Sequence, residues 1–375
     1  MEKIKANVVS TDRIFFAEII FDEKIVSINE LQTVPHPDYD FAMPGFIDLH
    51  LHGGGGVDVM DFKSNHPTSY DLSPLLKTHA AKGTTSLLLT TVTAPYQFLE
   101  NVFQKIEEKK HNQQASESRI VGIHLEGPFI SKDKLGAQPD YVRRFSIDEI
   151  LKLHQISQIK TITVAPEQLN FSDAQYLLNE GIFIQLGHSN CSYETAIQAA
   201  RHGKAGYTHL YNAMSGFHHR NPGMVGAALA EAQFAEIIPD LEHVHYGAIK
   251  AALNCIKGTY FVTDATSATG MPDGEYTLGD HRVYKCQNGV RLLDGTLAGS
   301  AITLYDGLQK LHRSPLKMSM VEYSKRFSTI QSQVIKKDHV IGKLHPNFDA
   351  DFILCNQDLN LKAVYIKGQK INSIE

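Results

Sequence analysis

Apolar runs that lead into a potential metal ligand and then a chain breaker recur five times along this chain. They are Pro44-Gly45-Phe46-Ile47-Asp48-Leu49-His50-Leu51-His52 ahead of four glycines, Arg119-Ile120-Val121-Gly122-Ile123-His124-Leu125-Glu126 ahead of Gly127-Pro128, Ile182-Phe183-Ile184-Gln185-Leu186-Gly187-His188, Ala205-Gly206-Tyr207-Thr208-His209, and Thr259-Tyr260-Phe261-Val262-Thr263-Asp264. Short apolar runs bounded by turn residues predict buried strands. Thr84–Thr90, Thr161–Ala165 and Ala235–Pro239 supply three more, the last weakened by its proline. Helical patterns fill the gaps. One is Ser192–Ala200, opened by a serine cap and closing before Gly203; another is Gly247–Leu253, ending before Gly258.

Eight strands alternating with helices predict an α/β fold, a (β/α)8 TIM-like barrel, over residues 44–338. Residues 1–43 and 339–375 have a different texture, with alternating runs such as Arg13–Ile20, Lys24–Ile28, Asp351–Cys355 and Leu361–Ile366. Neither end has enough strands to be stable alone, so both together predict one small β-sandwich domain beside the barrel.

In a barrel of this kind the C-terminal ends of all strands meet at one mouth. His50, His52, Glu126, His188, His209 and Asp264 therefore converge. A buried carboxylate such as Glu126 must be paired, hydrogen-bonded or metal-bound; a salt-bridged glutamate at a sheet edge is the plain alternative. His50 and His52 are two apart, so their side chains share one face of a strand and can reach one metal. This set suits divalent zinc, iron or manganese. Asp264 has a second reading: a carboxylate at the mouth can take a proton from water and deliver it to a leaving group. Other histidines lack a strand-end setting. His36, His66, His79, His111, His154, His202, His281, His312 and His339 are expected at the surface, whereas His243 or His245 could face the mouth.

Composition narrows the function classes. The chain has 375 residues, 21% charged and 42% hydrophobic, with a net charge of -5. It is mildly acidic, which argues against nucleic acid or an anionic membrane as partner. The first residues lack the apolar core of a secretory signal, and no stretch is long enough to span a bilayer, so a cytoplasmic protein is expected. Cys191, Cys255, Cys286 and Cys355 are widely spaced and predict neither disulfides nor a zinc ribbon.

Pro44–Gly56, His124-Leu125-Glu126-Gly127-Pro128, Leu186-Gly187-His188-Ser189, Thr208-His209-Leu210-Tyr211-Asn212-Ala213-Met214, Val262–Thr266 and Gly295–Ser300 together resemble the N-acetylglucosamine-6-phosphate deacetylases of the amidohydrolase superfamily. The resemblance spans nearly the whole chain. It implies hydrolysis of the N-acetyl amide of N-acetylglucosamine 6-phosphate to glucosamine 6-phosphate and acetate. It also implies that Glu126, His188 and His209 bind the principal metal and that Asp264 is the catalytic acid/base. Ala137, Gln138, Asn212, Ala213, Arg220, His243, Leu297, Ala298 and Gly299 would contact the sugar phosphate, with Arg220 reaching in from the neighbouring subunit of a homodimer.

Three departures from the family pattern matter. Some members carry Gln and Asn where this chain has His50 and His52; the histidine pair implies two divalent metals, with Glu126 bridging. Zinc or iron fits best, and manganese or cobalt is compatible. Gln138 stands where many members have a histidine that polarises the acetyl carbonyl. Leu241 replaces the glycine of the family's Asp-Gly-x-His stretch. Two rival enzymes share the architecture. A cyclic-amide hydrolase would be expected to carry a lysine near Val164-Ala165-Pro166-Glu167, which has none; a deacetylase for N-acetylgalactosamine 6-phosphate differs in the orientation of one hydroxyl. A non-catalytic sugar-phosphate-binding protein would be expected to lack one of Glu126, His188, His209 or Asp264, and all four are present.

Overall fold

The structure, a computed structural model, describes residues 1–32, 39–61, 70–286 and 289–371. His36 and His66 lie outside the described residues. Eight parallel strands form the central sheet: Phe46–Asp48, Thr84–Thr91, Arg119–Glu126, Ile159–Val164, Phe183–Leu186, Gly206–Tyr207, Phe234–Ile237 and Gly258–Phe261, each beside the next in chain order. A helix follows every strand, from Ser73–Ala80 after the first to Leu304–Arg313 after the eighth. The barrel closes where Asp264 N–H donates to His50 O at 2.8 Å and Leu51 bridges Ala265. Asp48 supports the same seam, accepting from Thr263 N at 3.2 Å and Thr263 Oγ1 at 2.6 Å. Pro239 falls beyond the seventh strand, so no ladder bond is lost to it.

Strand side chains such as Leu87, Leu89, Ile123, Leu125, Ile162 and Val164 pack in one cluster with helix residues such as Leu76, Val102, Phe103 and Leu177, between barrel and helices, whereas the alternate positions Thr90, His124 and Thr163 turn inward and bond one another. The strand residues of that cluster are apolar positions of the strand runs, which is why short apolar runs bounded by turn residues sufficed to place the strands.

Both termini contribute to a second, seven-stranded sheet, in which Phe352–Cys355 pairs with Tyr39–Pro44 and Tyr39–Pro44 with Glu2–Val9. The sheet coils over itself, since Phe21 in Ile14–Phe21 touches Phe352 and Tyr365 at ring-centroid distances of 5.0 and 5.3 Å. Arg119, at the start of the third barrel strand, pairs with Asp349 at 2.6 Å and with Asp351, fastening the barrel to this layer.

Beyond the eighth strand, a three-stranded antiparallel sheet of Gly274–Leu278, His281–Cys286 and Gly289–Arg291 overhangs the barrel mouth. It was not read from the sequence. The turn Gly279-Asp280 between alternating runs was the available signal, with Gly279 at φ 54°.

Candidate metal centre and active site

Glu126 closes the third strand, as its sequence setting requires. The other candidate ligands lie just past the last hydrogen-bonded residue of their strands. Strand five ends at Leu186 and strand six at Tyr207, two residues before His188 and His209; strand eight ends at Phe261. His188, His209 and Asp264 have φ of 49°, 26° and 51°. This left-handed backbone is costly for residues with a Cβ and is typical of functional strain. Here it accompanies the turn of each chain across the mouth.

The six residues form one buried cluster, each no more than 8% exposed. Two groups can be distinguished: Glu126, His188 and His209, and His50, His52 and Asp264. Glu126 Oε1 lies 3.1 Å from His188 Nε2 and 3.3 Å from His209 Nε2, while its Oε2 lies 3.3 Å from His52 Nε2. Asp264 Oδ1 is 3.2 Å from His52 Nε2 and 3.5 Å from His50 Nε2. Glu126 thus faces both groups.

The hydrogen bonds on the far side of the rings show that the donor set fits divalent metal. His188 Nδ1 meets Lys134 O at 2.8 Å, His52 Nδ1 meets Thr90 O at 3.2 Å, and His50 Nδ1 meets a Glu236 oxygen at 2.7 Å. Carbonyl and carboxylate oxygens only accept, so each Nδ1 carries a hydrogen, and each ring in its neutral form turns an Nε2 lone pair inward. Inward lone pairs around a carboxylate are what a metal ion requires.

The electrostatics agree. Burial pushes the Glu126 carboxyl up, but His50, His188 and His209 hold it well below the carboxylate range. Burial likewise opposes ionisation of Asp264, yet His50 and His52 bring it to about 2. Burial disfavours a charged His52, whereas Asp264 and Glu126 raise it to about 9. The cluster therefore concentrates negative charge that calls for cations, supplied by protons or by metal.

Above the cluster opens a cavity of about 340 Å³. His52, Glu126, His188, His209 and Asp264 line it, together with Ala137, Gln138, Asn212, Ala213, His243, Leu297 and Gly299. His50 lies fully buried at its base, 3.3 Å from His52 between Nε2 atoms. Ala298 is also fully buried. Arg220 does not join the others: it projects from an exposed loop, its guanidinium donating to His219 Nε2 at 2.9 Å.

His243 rather than His245 faces the cavity. His245 caps the helix Tyr246–Cys255 by accepting from Gly247 N. Asp240 holds His243, accepting from its backbone N at 2.9 Å and its Nδ1 at 2.6 Å. Burial lowers the His243 imidazole, but Asp240 prevails and raises it. Leu241 has φ 65°, so it keeps the left-handed turn that a glycine would make more cheaply.

Two readings need correction. His79 is fully buried, not superficial: its Nε2 donates to Gly53 O at 3.0 Å, behind the glycine run. Glu236 was passed over as part of a plain strand, yet it is 1% exposed and contacts His50. A charged residue inside an apolar run was the signal, the same one that singled out Glu126.

Residues 41–371 match the amidohydrolase family model, and the chain belongs to the amidohydrolase family. Within it, the chain is 36% identical over 336 residues to the N-acetylglucosamine-6-phosphate deacetylase of Lysinibacillus sphaericus, covering 88% of this chain and 85% of that one. It is 32% identical over 358 residues to the N-acetylgalactosamine-6-phosphate deacetylase of Escherichia coli O157:H7, 93% of each chain being covered. The crystal structure of N-acetylglucosamine-6-phosphate deacetylase from Thermotoga maritima superposes with a TM-score of 0.88 at 28% identity, covering 98% of both chains. Among the described residues, no helix is long and apolar enough to cross a membrane.

Proposed function

We propose that this chain hydrolyses the N-acetyl amide of N-acetylglucosamine 6-phosphate to glucosamine 6-phosphate and acetate. The observation that carries the reading is the ring of inward Nε2 atoms around Glu126, with Asp264 at the wall of a cavity of sugar-phosphate size. Glu126, His188 and His209 would hold one divalent ion, and His50 and His52 beside Asp264 a second, with Glu126 shared. When bound, such an ion supplies Lewis acidity toward the amide carbonyl and toward water.

The chain's own residues handle the proton and the substrate. Asp264 is ionised at neutral pH and takes the proton of the attacking water; it then returns that proton to the sugar nitrogen as the C–N bond breaks. His243, braced by Asp240, offers Nε2 to the phosphate end, and Asn212, Ala213, Ala137, Leu297 and Gly299 shape the sugar site, with the buried Ala298 behind them. Arg220 would complete the phosphate site across a homodimer interface, since within its own chain it stands outside the cavity. Barrel 44–338 and terminal β domain 1–43 with 339–375 are the domains of this reading, and the cytoplasm is its compartment.

Product analysis tests the reading. N-acetylglucosamine 6-phosphate should yield acetate and glucosamine 6-phosphate in equal amounts, with a higher kcat/KM than N-acetylgalactosamine 6-phosphate. A reversed preference would assign the chain to the galacto substrate, the activity named for its Escherichia coli relative.

A further inference from the structure

We propose that Glu236, a carboxylate beneath the centre, is a positioning residue that fixes the tautomer of His50 and thereby the metal affinity of the His50–His52–Asp264 group. The proposal rests on the two-ion reading above.

Glu236 occupies the seventh strand, Phe234–Ile237, below the barrel mouth, where a carboxylate must have its lone pairs filled. Four donors fill them. Oε1 accepts from His50 Nδ1 at 2.7 Å and from His209 N at 3.1 Å; Oε2 accepts from Gln185 Nε2 at 3.0 Å and Tyr260 OH at 3.3 Å. Gln185 Nε2 also lies 2.6 Å from Tyr260 OH, so the carboxylate is held from below. One oxygen therefore joins the side chain of His50 to the backbone of His209, a residue of the other ligand group.

The consequence for His50 is chemical. Its ring is fully buried and stacks edge-on against His124 at 4.5 Å between centroids. His124 makes its own bonds to Thr163 Oγ1 at 2.8 Å and Thr90 Oγ1 at 3.4 Å, and does not compete for His50 Nδ1. With Glu236 accepting, Nδ1 keeps the hydrogen and Nε2 offers a lone pair toward Glu126 and Asp264. With a neutral amide in its place the charge-assisted bond to Nδ1 is lost and the tautomer is held less firmly, so the hydrogen can move to Nε2, where it would donate to those carboxylates and occupy the position a metal needs. The carboxylate–histidine pairing thus selects the ligating form.

The test is metal titration of the full chain with Zn²⁺, comparing wild type, Glu236→Gln, His50→Asn and the double variant. Wild type should take two ions per chain. Glu236→Gln should keep one with near-native affinity and bind the second about 10–100-fold more weakly. In the His50→Asn background, Glu236→Gln should leave the remaining ion's affinity unchanged, because its effect runs through His50. Tyr260→Phe preserves the carboxylate and removes one donor, and should weaken the same ion to a smaller degree even if Glu236→Gln folds poorly. Two ions of native affinity in Glu236→Gln would overturn the proposal alone. Equal weakening of both ions, persisting without His50, would overturn it as a merely structural effect. A wild-type count of one ion would remove the two-ion reading and the proposal with it.

Discussion

The side-chain amide of Gln138 donates to Glu126 Oε2 at 2.5 Å, while its carbonyl accepts from Thr93 N at 2.7 Å. The backbone N–H of Thr93 can only donate, which settles the orientation of the amide: its nitrogen must face Glu126. Gln138 therefore steadies the proposed ligand Glu126 as well as lining the cavity. Gln138→Leu should lower kcat/KM about 10–100-fold and weaken metal retention, as loss of a ligand's outer partner does. Steady-state kinetics with metal analysis would check this; lost turnover at full metal content would assign Gln138 to carbonyl activation alone.

Asp264→Asn should reduce turnover by about 10²–10⁴-fold while the Glu126–His188–His209 group keeps its ion. An amide retains the shape of the carboxylate but cannot carry the proton between water and amine. Single-turnover acetate release with metal quantitation would show it, and near-native turnover would refute the proton role.

Metal affinity should depend on pH in a defined direction. Without metal, Asp264 and Glu126 hold His52 at about 9 against the opposing effect of burial, and His50 is raised as well. Ligation needs neutral rings, so binding releases protons and apparent affinity rises with pH until about 9. A chelator should strip the protein faster at roughly pH 6 than at pH 8. Equal stripping rates would contradict the proton competition.

Lys204→Gly should stabilise the fold by about 1 kcal/mol. Lys204 is exposed and left-handed, φ 44°, at the C-terminus of the helix Tyr193–Gly203. Glycine adopts that conformation without steric cost. The denaturation midpoint should rise with an unchanged slope; a fall would show that the lysine side chain contributes there.

That helix end also shows where sequence reading reaches its limit. Gly203 was expected beyond the helix, as a terminator, but it is the last helical residue, and a Cβ on it would come within 2.9 Å of Ile184 Cδ1. A glycine required for close packing is indistinguishable in sequence from one required for a turn. The strands were legible because apolar runs bounded by breakers have few other solutions. His50, His52, Glu126, His188, His209 and Asp264 were legible because buried polar groups at strand ends need partners. The left-handed backbones of His188, His209 and Asp264 were not, since nothing in a histidine or aspartate announces positive φ. The support beneath the centre was missed because Glu236, Gln185 and Tyr260 become partners only once neighbouring strands are in register.

Deacetylation of an amino-sugar phosphate at the proposed metal centre is read out by acetate release from N-acetylglucosamine 6-phosphate and from N-acetylglucosamine, with metal content determined on the same preparation. Release is expected from the phosphorylated sugar, with a much lower kcat/KM without the phosphate and close to two ions per chain. No acetate from either sugar by fully metallated protein would contradict it.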